Sequence, residues 1–303
     1  MRDAQEHLAQ LARFLAVLLW AAAAQAAPLE LVATTAELQS LALAVGGDAI
    51  SAAFLIPAGQ DGESFQPRPQ DVARLAQAHV LVCVGVDYDL WLDAMLRQSG
   101  NAAIQRGAPG YVDASTYIAL LDVRAGGFGD GHAHGRGNPH YWLDPANAEM
   151  ITGSILEALA RVDPANAKRY EANRLAFLAK LETKMHEWTK LLEHAPAIIA
   201  YHDTWPYLAR RFRLRVAGII EARPGVPPSP AHLAELSRAA KDAGVKVIVR
   251  EPFEPVRDAD FLAARTGASV AVLASGVGAV PEAHDYLSLI DYDVQALARV
   301  GRD

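Results

Sequence analysis

The sequence predicts an α/β protein of two similar lobes, each with a parallel-type sheet flanked by helices, joined by one long rigid helix. Three observations carry this. Short apolar runs alternate with helical patterns through the first half of the chain, as crossover units of a parallel sheet require. The same strand–helix rhythm restarts in the second half without close sequence repetition. Between the halves, no proline occurs from Pro164 to Pro196, and one apolar stripe runs along that stretch. The implied boundaries are a leader over 1–26, an N-terminal lobe over 27–162, the connecting helix over 163–194 and a C-terminal lobe over 195–303.

The leader is read from Phe14 to Ala24, an apolar run preceded by Arg13 and followed by Ala24-Gln25-Ala26. The run is short for a bilayer span, and the small-x-small ending fits a signal peptide cleaved near Ala26. Asp3 and Glu6 are unusual before such a run. The mature product is expected in the periplasm as a soluble protein. The single cysteine, Cys83, lies in the apolar run VLVCVGV, can form no intramolecular disulfide and is expected in the core. A formal net charge of -7 argues against a nucleic-acid or anionic-membrane surface.

In the first lobe, Leu29–Thr34, Ile50–Ile56 and Val80–Val86 read as strands. Pro69–Ala78 reads as a helix with proline in its first turn, and Asn147–Leu159 as a second helix. Asp163-Pro164 opens the long helix, on which Tyr170, Phe177, Leu181, Met185, Trp188 and Leu192 recur at helical intervals over about eight turns. In the second lobe, Ala197–Tyr201, Leu214–Ile220, Val245–Val249 and Ser269–Leu273 are strands, and Ser229–Gly244 is a helix after a proline-rich loop. Ligands of open parallel sheets gather beyond the carboxyl ends of the strands. Those ends are Thr34-Thr35, Gly85, His202, Glu251 and Ala274-Ser275.

Two histidines stand in unusual settings. His140 lies in Asn138-Pro139-His140-Tyr141-Trp142-Leu143-Asp144-Pro145, where proline stiffens the backbone before it and aromatics anchor it afterwards. Taken alone it could equally be a core histidine bonded to backbone. His202 directly follows the strand AIIAY and is braced by Trp205 and Tyr207, which mirrors His140 in the other lobe. Upstream of His140, the glycine-rich run 129–135 carries His132 and His134, either a loop that gathers metal ions or a linker with incidental histidines. His79, His186, His194, His232 and His284 lack such settings and read as structural or solvated.

With these residues in view, the chain resembles the cluster A-I solute-binding proteins of ABC importers for zinc and manganese. The motifs that carry the resemblance are the opening LVATT, the segment PAGQDGESFQPRPQDV at 57–72, NPHYWLDP, the Asp163-Pro164 helix, AYHDTWPYLARRF and VKVIVREPF. They cover nearly the whole mature chain. The resemblance implies one transition-metal ion held between the lobes, with His140 and His202 as ligands. Two positions depart from the family's pattern. Where the family has histidine after aspartate-proline, this chain has Asp61-Gly62-Glu63, which makes Glu63 the third ligand. Where an aspartate often follows the last strand, this chain has Ala274-Ser275. Water, Glu251, Asp285, His132 or His134 remain as the fourth donor.

Two imidazoles and a carboxylate suit Zn2+, while the carboxylate moves the site toward Mn2+ or iron as alternatives. The expected partners are an ABC permease with its ATPase, since the chain carries no phosphate-binding loop, and a periplasmic metallochaperone as a further donor of metal. The protein is expected to act as a monomer. A secreted zinc hydrolase is the competing class. Against it, the chain has neither His-Glu-x-x-His nor Gly-x-Ser-x-Gly.

Overall fold

The computed structural model describes residues 27–60, 62, 65–122, 137–223 and 225–300. Its first sheet consists of β1 (Leu29–Ala33), β2 (Ile50–Phe54), β3 (Val80–Cys83) and β4 (Tyr111–Asp113) in the order β2-β1-β3-β4, with every pair parallel. The crossovers run through α1 (Ala36–Gly46), α2 (Pro69–Gln77) and α3 (Leu92–Ser99). The second sheet repeats the scheme with β5 (Ile198–Ala200), β6 (Val216–Ile219), β7 (Val247–Arg250) and β8 (Ser269–Val272) in the order β6-β5-β7-β8, again all parallel. Its helices are α6 (Pro206–Phe212), α7 (Pro230–Asp242) and α8 (Val256–Thr266). In each sheet the chain moves outward on both sides of a central strand pair, β1/β3 and β5/β7. A crevice therefore opens above those strand ends.

Between the sheets lie α4 (Asn147–Val162) and the rod α5 (Ala167–Leu191), and α9 (Tyr286–Val300) closes the described chain. The rod begins later than Asp163-Pro164 suggests, because residues 164–166 form a 3-10 turn. Asp163 stabilises that turn by accepting hydrogen bonds from Asn166 Nδ2 (2.7 Å) and the Tyr170 hydroxyl (2.7 Å), which hold its carboxyl below the usual range. The predicted stripe is only partly inward: Tyr170, Phe177, Leu181 and Trp188 are buried on the rod. They face α1, α4 and α9, so helices from both ends of the chain share one rod.

β3 also stops short of the predicted Val86. Gly85, Val86 and Asp87 turn through positive φ (73°, 52° and 63°), a strained path for a β-branched residue. The turn lifts Tyr88 out of the sheet toward the crevice. Cys83 is buried, with Sγ 3.2 Å from the Tyr111 hydroxyl. No helix among the described residues is long and apolar enough to cross a membrane.

One apolar core runs through both lobes. It joins Leu31 and Val82 of the first sheet to Trp142, Trp188 and Tyr207, and on to Val247 and Val249 of the second. The segment bearing His140 sits at its centre and is bonded to both sides. Tyr141 donates to the Val84 carbonyl (2.7 Å) in the first lobe. Toward the second lobe, Asn138 Nδ2 donates to the Asp203 carbonyl (2.8 Å) and Trp142 Nε1 to the Ser275 carbonyl (2.8 Å). In return, the Tyr207 hydroxyl donates to the Asn138 carbonyl (2.8 Å) and the Tyr286 hydroxyl to the Trp142 carbonyl (2.6 Å). Tyr286 also gives its N–H to Ser40 Oγ on α1 (2.9 Å).

A buried ion pair completes the set. Asp144, with its side chain fully enclosed, receives Nε (2.6 Å) and a terminal nitrogen (3.0 Å) of Arg211 on α6, while Arg210 stands at 3.5 Å. A two-pronged pair to an enclosed carboxylate is the strong form of this interaction. Arg211→Ala should therefore lower the unfolding free energy by roughly 1.5–3 kcal/mol, and Arg210→Ala by clearly less. Chemical denaturation of the two variants measures this. Because the core is shared, calorimetry of the wild type should give one cooperative transition, not one per lobe.

Candidate metal centre

The crevice above both strand pairs contains a cavity of about 50 Å³ lined by Glu37, Tyr88, His140, Trp142, Glu251 and Ser275 among others. The walls come from loops that follow strands, from the first turn of α1 and from the segment that carries His140 and Trp142. Thr35 caps α1 after β1, Tyr88 follows the turn after β3, and Glu251 directly follows β7. His202 stands two residues beyond β5. Its ring faces that of His140 across the seam, with centres 6.1 Å apart and planes at 78°.

Each imidazole is oriented by its neighbour. The Asn138 side chain donates through Nδ2 to the Asp203 carbonyl, which fixes the amide orientation and leaves Oδ1 as the acceptor. Oδ1 accepts the His140 backbone N–H (3.0 Å) and faces His140 Nδ1 (3.1 Å). On the other side, Glu221 Oε2 lies 2.7 Å from His202 Nδ1, and its Oε1 accepts the Gly225 N–H (2.9 Å). A pure acceptor beside Nδ1 calls for a proton there, which puts the lone pair of each ring on Nε2. Rings held in this way are prepared donors for a metal ion.

Aromatic rings pack around His140. Tyr88 meets it edge-on at 6.1 Å and Trp142 at 5.4 Å, and Tyr88 and Trp142 touch each other at 5.6 Å. The Tyr88 hydroxyl occupies the place where a side chain at Gly62 would project. This gives the Asp61-Gly62-Glu63 departure a physical reason: with tyrosine at 88, position 62 has no room for a Cβ unless the ring moves.

Glu251 is 2 % exposed and held at every polar atom. Thr204 Oγ1 donates to Oε1 (2.7 Å), Ser275 Oγ donates to Oε2, and the Glu251 N–H donates to Glu254 Oε2 (2.5 Å). Burial, with Glu251 beside it, pushes the Glu254 carboxyl far up. Ser275, where the family's aspartate would stand, thus serves as a hydroxyl donor to Glu251.

His140 and Glu251 line this cavity, His202 faces His140 from an adjoining pocket it shares with Asp203 and Trp205, and Asp285 lies elsewhere. Asp285 precedes α9, exchanges hydrogen bonds with Ser288 and lines a separate groove between α1 and the rod. Glu63, His132 and His134 lie outside the described residues. Among the described residues, no three histidine, cysteine, aspartate or glutamate side chains are close enough together to hold a metal ion. Three of the histidines read as structural or solvated are so placed. His79 Nδ1 accepts the Glu30 N–H (3.0 Å), His232 Nε2 lies 2.9 Å from the Ile219 carbonyl, and His284 is largely exposed. Sequence reading missed Glu221 and Glu37. Glu221 lies two residues past β6, where the strand-end rule applies to it as well as to His202. Glu37 gives no such signal.

Comparison with known proteins agrees with this architecture. The sequence profile described as zinc-uptake complex component A, periplasmic, matches residues 31–300. The high-affinity zinc uptake system protein ZnuA of Bacillus subtilis is 28% identical over 260 residues, covering 80% of this chain and 78% of the relative. The iron-binding protein YfeA of Yersinia pestis is 24% identical over 286 residues, covering 89% and 85%. Among solved structures, a crystal structure of ZnuA superimposes with a TM-score of 0.76 at 25% identity, covering 90% of this chain and 98% of that one. The family consists of solute-binding proteins of transporters, not enzymes. This chain belongs to it, as a cluster A-I metal-binding protein of ABC importers.

Proposed function

We propose that this protein captures Zn2+ in the seam between its two sheets and delivers it to an ABC permease driven by a separate ATPase. The observation that supports this most is the facing pair His140 and His202, each with an acceptor at Nδ1 and a lone pair on Nε2. A zinc ion about 2.0–2.1 Å from both Nε2 atoms would hold the ring centres roughly 5–6 Å apart. The 6.1 Å found in the structure is close to that range.

In this reading Glu63 is the third ligand, and Glu251, already fixed by Thr204 and Ser275, stands ready as the fourth donor or as the acceptor of a zinc-bound water. Residues 1–26 are a signal peptide removed near Ala26, and His132 and His134 gather ions for the seam. The lobes are 27–162 and 195–303. Iron or manganese is the second reading. It is favoured by the carboxylate at position 63 and by the similarity to an iron-binding relative.

Competition titration of metal-stripped protein separates these metals. Zinc should bind one ion per chain and displace manganese; stoichiometric manganese binding that resists zinc would overturn the zinc assignment. His140→Ala and His202→Ala should each cost more than about 100-fold in zinc affinity, more than a typical outer-shell change. Glu63→Ala should cost less than either, and Glu63→His should raise the preference for zinc over manganese. Unchanged affinity in His202→Ala would remove the inter-lobe site altogether.

The groups that hold the rings should matter as well. Glu221→Ala should weaken zinc binding by roughly 10–100-fold without changing stoichiometry. Zinc affinity should fall as pH drops below neutral, since both imidazoles must be unprotonated to bind. Titrations at successive pH values check this.

A further inference from the structure

Glu37 is a glutamate on the wall of the metal cavity, yet it belongs to neither lobe's ligand-bearing loops. It sits in the first turn of α1 and is 4% exposed. Its donors are the Thr35 side chain, its own backbone N–H and, from the opposite lobe, the Val277 backbone. The seam is tight at this point. A methyl group at Gly276 would stand only 3.1 Å from Glu37 Oε2. The same turn, 275–277, supplies the Ser275 hydroxyl that holds Glu251 and the Ser275 carbonyl that receives Trp142 Nε1. Behind it, Asp293 Oδ1 accepts the Ala274 N–H (2.7 Å). The turn after β8 is thus gripped from α1, from the His140 segment and from α9.

We propose that Glu37 is a positioning residue for metal capture: its carboxyl group bridges α1 to the 275–277 turn, and it gives up a proton when a dication enters the cavity. This rests on the reading that the metal binds in that cavity. Among the described residues, no lysine or arginine lines the cavity to offset a buried carboxylate. The titratable groups around Glu37 are Asp89 from the loop after β3, His140 and Glu251 on the cavity walls, and the buried phenols of Tyr141 and Tyr286. Burial, with a smaller contribution from Asp89, pushes the Glu37 carboxyl up to about 7. A dication in the same cavity supplies the missing positive charge and favours the ionised form.

The sign of the pH dependence follows. A carboxyl raised in the folded state adds stability that is complete below its ordinary value near 4.5 and is lost as pH rises through about 7. Metal-stripped wild type should therefore lose more stability between pH 5 and 8 than Glu37→Gln, and zinc should offset that loss.

Calorimetric titration of zinc at pH 6.5, in two buffers of different ionisation enthalpy, counts the protons released. Wild type should release roughly half a proton or more in excess of Glu37→Gln. Both proteins should bind one zinc. Equal proton counts at unchanged stoichiometry would overturn the role of Glu37 while leaving the cavity as the metal site. Failure of wild type to bind zinc would overturn both. Should Glu37→Gln not fold, infrared difference spectra of the wild type decide. Zinc should remove a protonated-carboxyl band, and its persistence would overturn the proposal.

Discussion

The enclosed carboxylate of Asp144 is the contact on which the candidate metal centre depends. It closes the segment bearing His140, accepts the Ala146 N–H (3.0 Å) locally, and takes its charged partners from α6, the helix that follows His202. An unpaired carboxylate in that position would be costly, so the pair keeps the two loops in one relative position. Tyr207, on the same helix, grips the Asn138 carbonyl. His140 and His202 thus face each other because their supporting elements are bonded directly, and the rod acts as a second, longer connection. A site built this way is prepared before the ion arrives, which is how a binding protein limits the ordering cost of capture.

Much of this was legible in the sequence. All four strands of the second lobe and three of the first carry apolar runs bounded by turn residues, and the proline-free stretch marks the rod. The two histidines stood out because each follows a rigid element and precedes aromatics. β4 was missed because three residues, Tyr111–Asp113, carry no pattern of their own and become a strand only by pairing with β3. α1 was missed because its apolar residues are not confined to one face: Leu38, Leu41 and Val45 face the core while Ala36 touches the other lobe.

The polar residues at the centre divide in the same way. Asn138 could be singled out from its place before Pro139 and His140. Glu37 could not, because a glutamate in the first turn of a helix reads as a favourable charge near the dipole and nothing more. Only the approach of the 275–277 turn from the far end of the chain turns it into a buried group. The Gly62–Tyr88 contact is similar. Glycine in place of the family's proline looks like a loss of stiffness in the sequence, whereas in three dimensions a tyrosine from a strained turn occupies the vacated space.

Tyr286 has a consequence for how the molecule is made. Through its backbone and hydroxyl it ties Ser40, near the start of the described chain, to Trp142 beside His140. A chain that emerges N-terminus first has both histidines in hand well before it has Tyr286, yet the ledge under His140 is finished only when α9 docks. Contacts of such long sequence separation carry a large loop-closure entropy and slow the folding of chains that depend on them. Assembly of the candidate metal centre is therefore a closing event. A partly made chain holds both histidines but lacks the ledge that seats His140.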